Sequence, residues 1–320
     1  MLITVIVPIY KVEAYIERCV RTLLEQNMPD VEYIFVDDCS PDNSLEKARN
    51  VAAKYQVPPE QTKFLRHDVN RGLPAARNTG MKHATGEYLF HCDSDDYLEP
   101  DALKKMYEAA RHNDADIVYS DWYLTFPDSK RYMKQPAYSN AGDALRGLLH
   151  GTMKYNVWNK LVRRSLYTEN HITFPEGHSM GEDMTMIMLF AKARRVVYLP
   201  IATYDYVRQN ENAFTAQRTE QSYADLLFNA SRVIDYLQGT VSEQDLACFK
   251  LNVKFPFLIS GQRRDYDRWN EWFPEANQFI NVSQVSMRMR ILQMAAAKKW
   301  YLILKIYYYC LHRIVYGIVY

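Results

Sequence analysis

Three carboxylates fall within four residues at Asp93-Ser94-Asp95-Asp96, where the short run Tyr88-Leu89-Phe90-His91-Cys92 ends. Ionised carboxylates this close repel one another and are costly to hold near a sheet edge without a partner. A hard divalent cation, Mg²⁺ or Mn²⁺, is the natural partner. Such ions take one or two protein carboxylates and complete their shell with phosphate oxygens. The plain alternative is an acidic turn before a helix. Two further acidic pairs stand out. Asp37-Asp38 can accept hydrogen bonds from a base imide or a ribose hydroxyl, although a strand-terminal acidic pair is often only a turn. Glu182-Asp183 opens an apolar helix, where acids also suit the helix dipole for structural reasons alone.

The elements that must position these groups alternate over the first 120 residues. Leu2–Val7 is a near-continuous apolar run, as expected of a strand buried on both faces. Val12–Gln26 carries Ile16, Val20, Leu23 and Leu24 at helical spacing. Strands are expected at 32–36, 63–66, 88–93 and 115–120, with helices at 43–54, 73–83 and 100–112. This alternation predicts an α/β fold with a mostly parallel sheet flanked by helices. Ligands in such folds sit beyond the carboxyl ends of the strands, where Asp37-Asp38 and Asp93–Asp96 both fall. Residues 121–150 read as loop. A loop follows from Trp158, then a helix at 183–195 and a strand at 196–199; 221–260 reads as amphipathic helix.

The usual phosphate cradles are missing. Pro8-Ile9-Tyr10-Lys11 follows the first strand with no glycine, and no P-loop occurs anywhere in the chain. A bound diphosphate would need another source of positive charge, and a cation on Asp93 and Asp95 supplies one.

Four motifs in order, Val5-Ile6-Val7-Pro8-Ile9-Tyr10, Val36-Asp37-Asp38-Cys39-Ser40-Pro41-Asp42, Asn70-Arg71-Gly72-Leu73-Pro74-Ala75-Ala76-Arg77-Asn78-Thr79-Gly80 and Asp93-Ser94-Asp95-Asp96, resemble family 2 glycosyltransferases. Trp158-Asn159-Lys160-Leu161, Gly181-Glu182-Asp183 and Tyr206-Val207-Arg208-Gln209-Asn210-Glu211-Asn212 resemble acceptor-side motifs of members that build bacterial polysaccharide or lipopolysaccharide. The resemblance covers about residues 1–215. It implies a Rossmann-like GT-A fold and inverting transfer of a hexosyl or N-acetylhexosaminyl group from a nucleotide-sugar, commonly a UDP-sugar, to a hydroxyl of a glycan or lipid-linked oligosaccharide.

By that resemblance Pro8, Tyr10 and Glu13 pack around the base and ribose. Asp38 or Asp37 reads the base, and Arg71 and Arg77 border the base and diphosphate. Asp93, Ser94 and Asp95 form the DxD element, with Asp95 and Asp93 as the metal ligands for Mn²⁺ or Mg²⁺. Asp183, with Glu182 beside it, stands where the family keeps its general base. Trp158, Lys160 and Arg208 fall on the acceptor and diphosphate side, although Trp158 reads equally as a core aromatic. His91 departs from the family's usual apolar residue two positions before the DxD; it either faces the sheet interior or touches the metal shell, and the interior reading is favoured. His178 lies in a glycine-flanked loop and could approach the site.

Inversion asks for one displacement and one carboxylate base. Two rival readings keep the acidic residues in view. A sugar-1-phosphate nucleotidyltransferase also needs a nucleotide-binding sheet and Mg²⁺, but residues 8–20 lack the glycine-rich loop such enzymes carry. A non-catalytic membrane-associated subunit of glycan assembly would predict lost acidic positions, whereas Asp38, Asp93, Asp95 and Asp183 are all present.

Charge is balanced, 39 basic against 38 acidic residues in 320, which gives no global electrostatic argument for nucleic acid. The five cysteines are scattered, as in a reducing compartment. The first strand-like residues have no basic n-region and read as structure, not as a signal peptide. The expected domains are 1–215, with a nucleotide half at 1–120 and an acceptor half at 121–215, and a mainly helical extension at 216–320. After Glu275 the chain has no Asp or Glu, and Lys298, Lys305 and His312 recur every seven residues among tyrosines and aliphatics. A basic amphipathic helix at 285–320 is expected to lie on an anionic membrane surface; packing on the protein or on a second subunit is the alternative. The expected location is the inner, cytoplasmic face of the cell membrane, held peripherally.

Overall fold

The computed structural model describes residues 1–208, 219–283 and 285–311. Their elements in order are β1 (Ile3–Ile9), α1 (Ile16–Leu24), β2 (Val31–Asp37), α2 (Ser44–Lys54), β3 (Thr62–Arg66), α3 (Leu73–His83), β4 (Tyr88–His91), β5 (Tyr97–Leu98), α4 (Ala102–Asn113), β6 (Ile117–Thr125), β7 (Lys130–Met133), α5 (Ala141–Leu149), β8 (Lys160–Arg163), α6 (Arg164–Glu169), α7 (Thr185–Lys192), β9 (Val196–Val207), α8 (Glu220–Leu237), α9 (Glu243–Val253), α10 (Phe255–Leu258), α11 (Arg263–Glu271), α12 (Met287–Ala297) and α13 (Tyr301–Cys310).

Among the described residues one sheet runs β3-β2-β1-β4-β8-β6-β9-β5, with β7 paired to β6. β3, β2, β1 and β4 are all parallel. β1 and β2 are buried along their whole length, as expected of mostly apolar strands covered on both faces, and the buried Glu32 of β2 is met by Thr4 and Lys63. Odd-numbered residues of β1 (Ile3, Val5, Val7, Ile9) join Ile16, Cys19, Val20 and Leu23 of α1 and Leu103 and Met106 of α4 in one core layer. Each such aliphatic, taken fully out of water, contributes roughly 1.5–3 kcal/mol. On the other face Ile34 and Val36 pack against Ala76 of α3.

The alternation over residues 1–113 thus has the expected helix and strand order, with α1 shorter than its apolar spacing suggests. Beyond it the sheet is richer than expected. Residues 121–150, read as loop, carry the second half of β6, then β7 and α5. β8 inserts antiparallel between β4 and β6, so the strand after α4 does not pair with β4. β9 runs to Val207 rather than ending at 199, and pairs parallel to β6 with bulges at Ser120/Asp121 and Asp121/Tyr123.

Two compact units divide the chain: Met1–Leu145 with Lys154–Val233, and Arg146–Met153 with Ile234–Tyr320. In the second unit α9 is capped by Ser242, whose side chain accepts from Asp245 N. Among its described residues, the helix expected over 285–320 is instead two helices. α12 ends at Ala297, Lys299 is left-handed (φ 58°), and α13 starts at Tyr301. Lys298 and Lys305 therefore do not stack on one helical face; His312 lies outside the described residues. No helix among the described residues is long and apolar enough to cross a membrane.

Candidate active site

β2 delivers Asp37 and Asp38 to the carboxyl edge of the sheet, and both are buried. Asp38 Oδ1 accepts from Arg71 N at 2.8 Å and lies 2.7 Å from His67 Nδ1; its Oδ2 accepts from Gly72 N at 2.7 Å. Gly72 caps α3 with φ 86°, a conformation that strains any residue with a Cβ. Asp38 thereby folds residues 67–72 into a loop over the strand end. Asp37 accepts from Ser40 N at 2.9 Å and pairs with Arg66 Nε at 3.1 Å. Glu13 is tied to Asn43 and Lys47 at the start of α2, and the Asn43 amides hold its carboxyl below the usual range. Pro8 is buried in β1, while the Tyr10 ring is 41% exposed at its end.

The acidic cluster after β4 splits by side. Asp93 and Asp95 are half-buried, whereas Ser94 and Asp96 point inward and are buried. Asp96 accepts from Tyr204 Oη at 2.9 Å and from Val207 N at 2.7 Å, and Tyr204 Oη itself accepts from Asp93 N at 3.0 Å. Burial, with Asp95 and Asp93 adding negative charge, pushes the Asp96 carboxyl well above its ordinary range. Asp96 is the internal strut of the turn.

Arg77, 2% exposed on α3, joins this turn to the third acidic pair. Its Nη2 donates to Asp93 Oδ1 at 3.0 Å and lies 3.9 Å from Glu182 Oε1. Glu182 and Asp183 follow Gly181 (φ 87°) in a short 3₁₀ turn before α7. Burial, reinforced by the Asp183 charge and opposed by Arg77, raises Glu182 to about 8. Burial raises Asp183 to about 6, against the pull of Arg77 and Lys160. Burial thus pushes both carboxyls of the pair upward.

Lys160 is 1% exposed, with its ammonium donating to Lys154 O, Asn156 O and Asn159 Oδ1 at 3.0, 2.6 and 2.8 Å. Burial lowers it to about 7, with Asp183 pulling the other way. It fastens the 154–160 loop and adds positive charge beneath Asp183. Trp158 takes the core reading: it is stacked on Tyr204 and Tyr206 at 4.6 and 5.4 Å. Arg208 is exposed at the end of β9; residues 209–212 of its motif lie outside the described residues. His178 turns away to Asp225 and stacks on Phe228.

The sequence profile described as "Glycosyl transferase family 2" matches residues 4–184, which include every element of this arrangement from β1 to Asp183. The chain belongs to glycosyl transferase family 2. Among similar proteins, the "Uncharacterized glycosyltransferase EpsJ" of Bacillus subtilis (strain 168) is 33% identical over 222 residues, 67% of this chain and 63% of that protein. The "Putative glycosyltransferase EpsH" of the same organism is 30% identical over 64% of this chain and 60% of its own length. The chain thus spans somewhat under two thirds of these relatives. A crystal structure of S. aureus TarS 1-349 in complex with UDP-GlcNAc is similar in fold, with TM-score 0.72 at 23% identity over 96% of this chain and 91% of that one. The GT-A fold follows.

Within this family 2 domain several positioning residues carry no sequence signal of their own. Tyr204 sits in an ordinary strand pattern, yet its hydroxyl joins Asp93 to Asp96. Glu176 accepts from Arg71 at 2.8 Å and from Asn78 at 3.1 Å, linking the two sides of the Gly72 loop. Asn78, inside the Arg77 motif, exchanges two hydrogen bonds with the Phe174 backbone at 2.9 Å each. Among the described residues no three His, Cys, Asp or Glu side chains form a ready cation cage. Two half-buried carboxylates fit a Mg²⁺- or Mn²⁺-type ion that draws its other oxygens from phosphate and water.

Proposed function

We propose that the chain is an inverting glycosyltransferase that moves a sugar from a UDP-sugar to a hydroxyl of a glycan or lipid-linked acceptor. One observation carries this reading. Arg77 connects the carboxylate suited to the diphosphate end, Asp93, with the pair that contains the candidate base, Glu182-Asp183. Leaving-group and base functions thus share one electrostatic cluster.

In this reading the Asp38-pinned loop and exposed Tyr10 receive the nucleoside. Asp95 and Asp93 hold a divalent cation, which when bound supplies positive charge to the departing diphosphate. Asp183 takes the proton of the acceptor hydroxyl as its oxygen attacks the anomeric carbon and the bond to the diphosphate breaks. The acceptor proton then resides on Asp183 and the electron pair on the diphosphate. Arg77 and Lys160 keep Asp183 ionisable in a site where burial alone would protonate it. TarS, captured with UDP-GlcNAc, and a Pyrobaculum calidifontis mannosyltransferase, captured with GDP-Man and Mn²⁺ (TM-score 0.53, 17% identity), support the donor class and the metal as inferences for this chain.

We propose further that the chain lies on the cytoplasmic face of a membrane, and the second unit supports the surface part of this reading. In and beside α13, Trp300, Leu302, Ile306 and Tyr309 are all more than half exposed, next to Lys298, Lys299 and Lys305. Apolar side chains left in water beside cations suit an anionic bilayer interface. UDP-GlcNAc hydrolysis and transfer, measured with Mn²⁺ and with chelator, test the catalytic reading. Equal rates in wild type and Asp183→Asn would sink it. Sedimentation with anionic vesicles tests the surface; equal recovery of full-length chain and a chain ending at Ala297 would remove α13 from it.

A further inference from the structure

His91 ends β4 two residues before Asp93 and is 1% exposed, with neither ring nitrogen hydrogen-bonded. It shares Ile6's position across β1, on the α3 side of the sheet. Its ring meets Phe174 edge-on at 5.2 Å and Tyr167 at 6.2 Å. Tyr167, 3% exposed on α6, also has an unpartnered hydroxyl. Arg77 lies over the same Phe174 ring at 5.5 Å, and its Nε and Nη1 are unpartnered although Nη2 holds Asp93. Five orphaned polar atoms on three buried side chains thus gather around one phenyl ring.

Buried polar groups are almost always satisfied, and a polar recess between them is where ordered water is found. The donor and acceptor count points the same way. Arg77 offers only N–H donors, and the sole neutral acceptors in the group are one imidazole nitrogen and the phenol oxygen. Water accepts from a guanidinium and donates to an imidazole nitrogen, so it joins groups that do not touch. An apolar residue at position 91 could not take part.

We propose that Arg77, His91 and Tyr167 are joined through buried ordered water, and that His91 is a positioning residue that fixes the rotation of the Arg77 guanidinium between Asp93 and Glu182. Asp93 and Glu182 alone hold only one end of Arg77. A guanidinium free to rotate would settle on Asp93 alone and lose its place beside Glu182. His91 would thereby act on turnover through Arg77 and not on nucleotide binding, for which the Asp38 loop is built. The functional half of this inference rests on the glycosyltransferase reading above; the hydrogen-bonded network does not.

The test has two arms on the full-length protein. Side-chain ¹⁵N NMR of histidine in the wild type should show His91 as a single neutral tautomer with hydrogen-bonded nitrogens, and Tyr167→Phe should shift those resonances. Free-imidazole shifts, unmoved by Tyr167→Phe, would overturn the network whatever the enzyme does. In the second arm UDP affinity and Mn²⁺-supported UDP-GlcNAc hydrolysis are compared for His91→Leu and His91→Gln at matched thermal stability. His91→Leu should keep the UDP Kd within about twofold and lower kcat about tenfold, the scale of one hydrogen bond to a charged group, while His91→Gln recovers most of that loss. An unchanged kcat in His91→Leu, or a glutamine no better than leucine, would show that position 91 only fills space. A wild type that neither binds UDP nor hydrolyses the donor would sink the glycosyltransferase reading instead, and the NMR arm would still decide the network.

Discussion

Arg77 reaches Asp93 across 3.0 Å from a helix that begins at the Asp38 loop, so one side chain ties the nucleotide end of the sheet to the acidic turn. Removing it should hurt both stability and turnover. Breaking a buried pair on one side costs about 3–5 kcal/mol, because the remaining charge is left uncompensated. Arg77→Met should therefore lower the midpoint of thermal unfolding and abolish donor hydrolysis. Arg77→Lys should recover stability better than activity, since an ammonium cannot fork toward two carboxylates.

In the proposed mechanism Asp183 is the base, so Asp183→Asn should lower kcat by roughly 10²–10⁴-fold, the usual share of general-base catalysis. UDP affinity by calorimetry should stay within about twofold, because no donor-side contact is lost. With Asp183 raised to about 6, the wild-type kcat should fall on the acid side through that pH as the base takes up its proton.

Glu182 makes a separate claim about stability. Its folded carboxyl titrates at about 8 against an ordinary 4.5, so the folded chain binds this proton more tightly than the unfolded one. Folding takes up a proton across that window, and stability is lost as pH rises from about 4.5 to 8. Glu182→Gln, measured in chelator, should raise the unfolding midpoint more at pH 8 than at pH 5. An equal shift at both would contradict the burial argument.

The acidic turn should behave as two kinds of residue. Asp95→Ala should erase the Mn²⁺ response of donor hydrolysis, as chelator should in the wild type. Asp96→Asn should keep that response while unfolding at lower temperature, because Asp96 serves Tyr204 and Val207 internally. Metal titration of the hydrolysis rate separates the two.

Asp38→Asn should weaken UDP binding about tenfold or more, the scale of losing a charge-assisted hydrogen bond. An asparagine keeps an oxygen for only one of the Arg71 and Gly72 amides and turns N–H donors toward the other, so the loop has to rearrange. Calorimetry with UDP and Mn²⁺ reads this directly.

The nucleotide half was legible because its physics is local. β1 and β2 are mostly apolar, α1 is periodic, and Asp37, Asp38, Asp93 and Asp95 sit at strand ends where the alternation puts them. The acceptor half was not. β8 is four residues long and begins with a lysine, so no periodicity announces that it separates β4 from β6. Trp158 read equally as a core aromatic or an acceptor-side residue, and Lys160 as acceptor-side; in the structure Trp158 is stacked in the core and Lys160 donates to two backbone carbonyls and to Asn159. Those partners come from distant chain segments or irregular loop, which spacing cannot encode. The break at Lys299 was equally hidden, since lysine gives no warning of a left-handed turn.

The position of β4 has a consequence for biosynthesis. Its neighbours are β1, made at the start of the chain, and β8, made some seventy residues after it. Until the ribosome has released residue 163, β4 is an exposed sheet edge of apolar residues, the kind of template that recruits other chains. A nascent or truncated product that stops short of β8 should therefore be prone to aggregate and to need a chaperone, whereas one that includes β8 closes that edge from within.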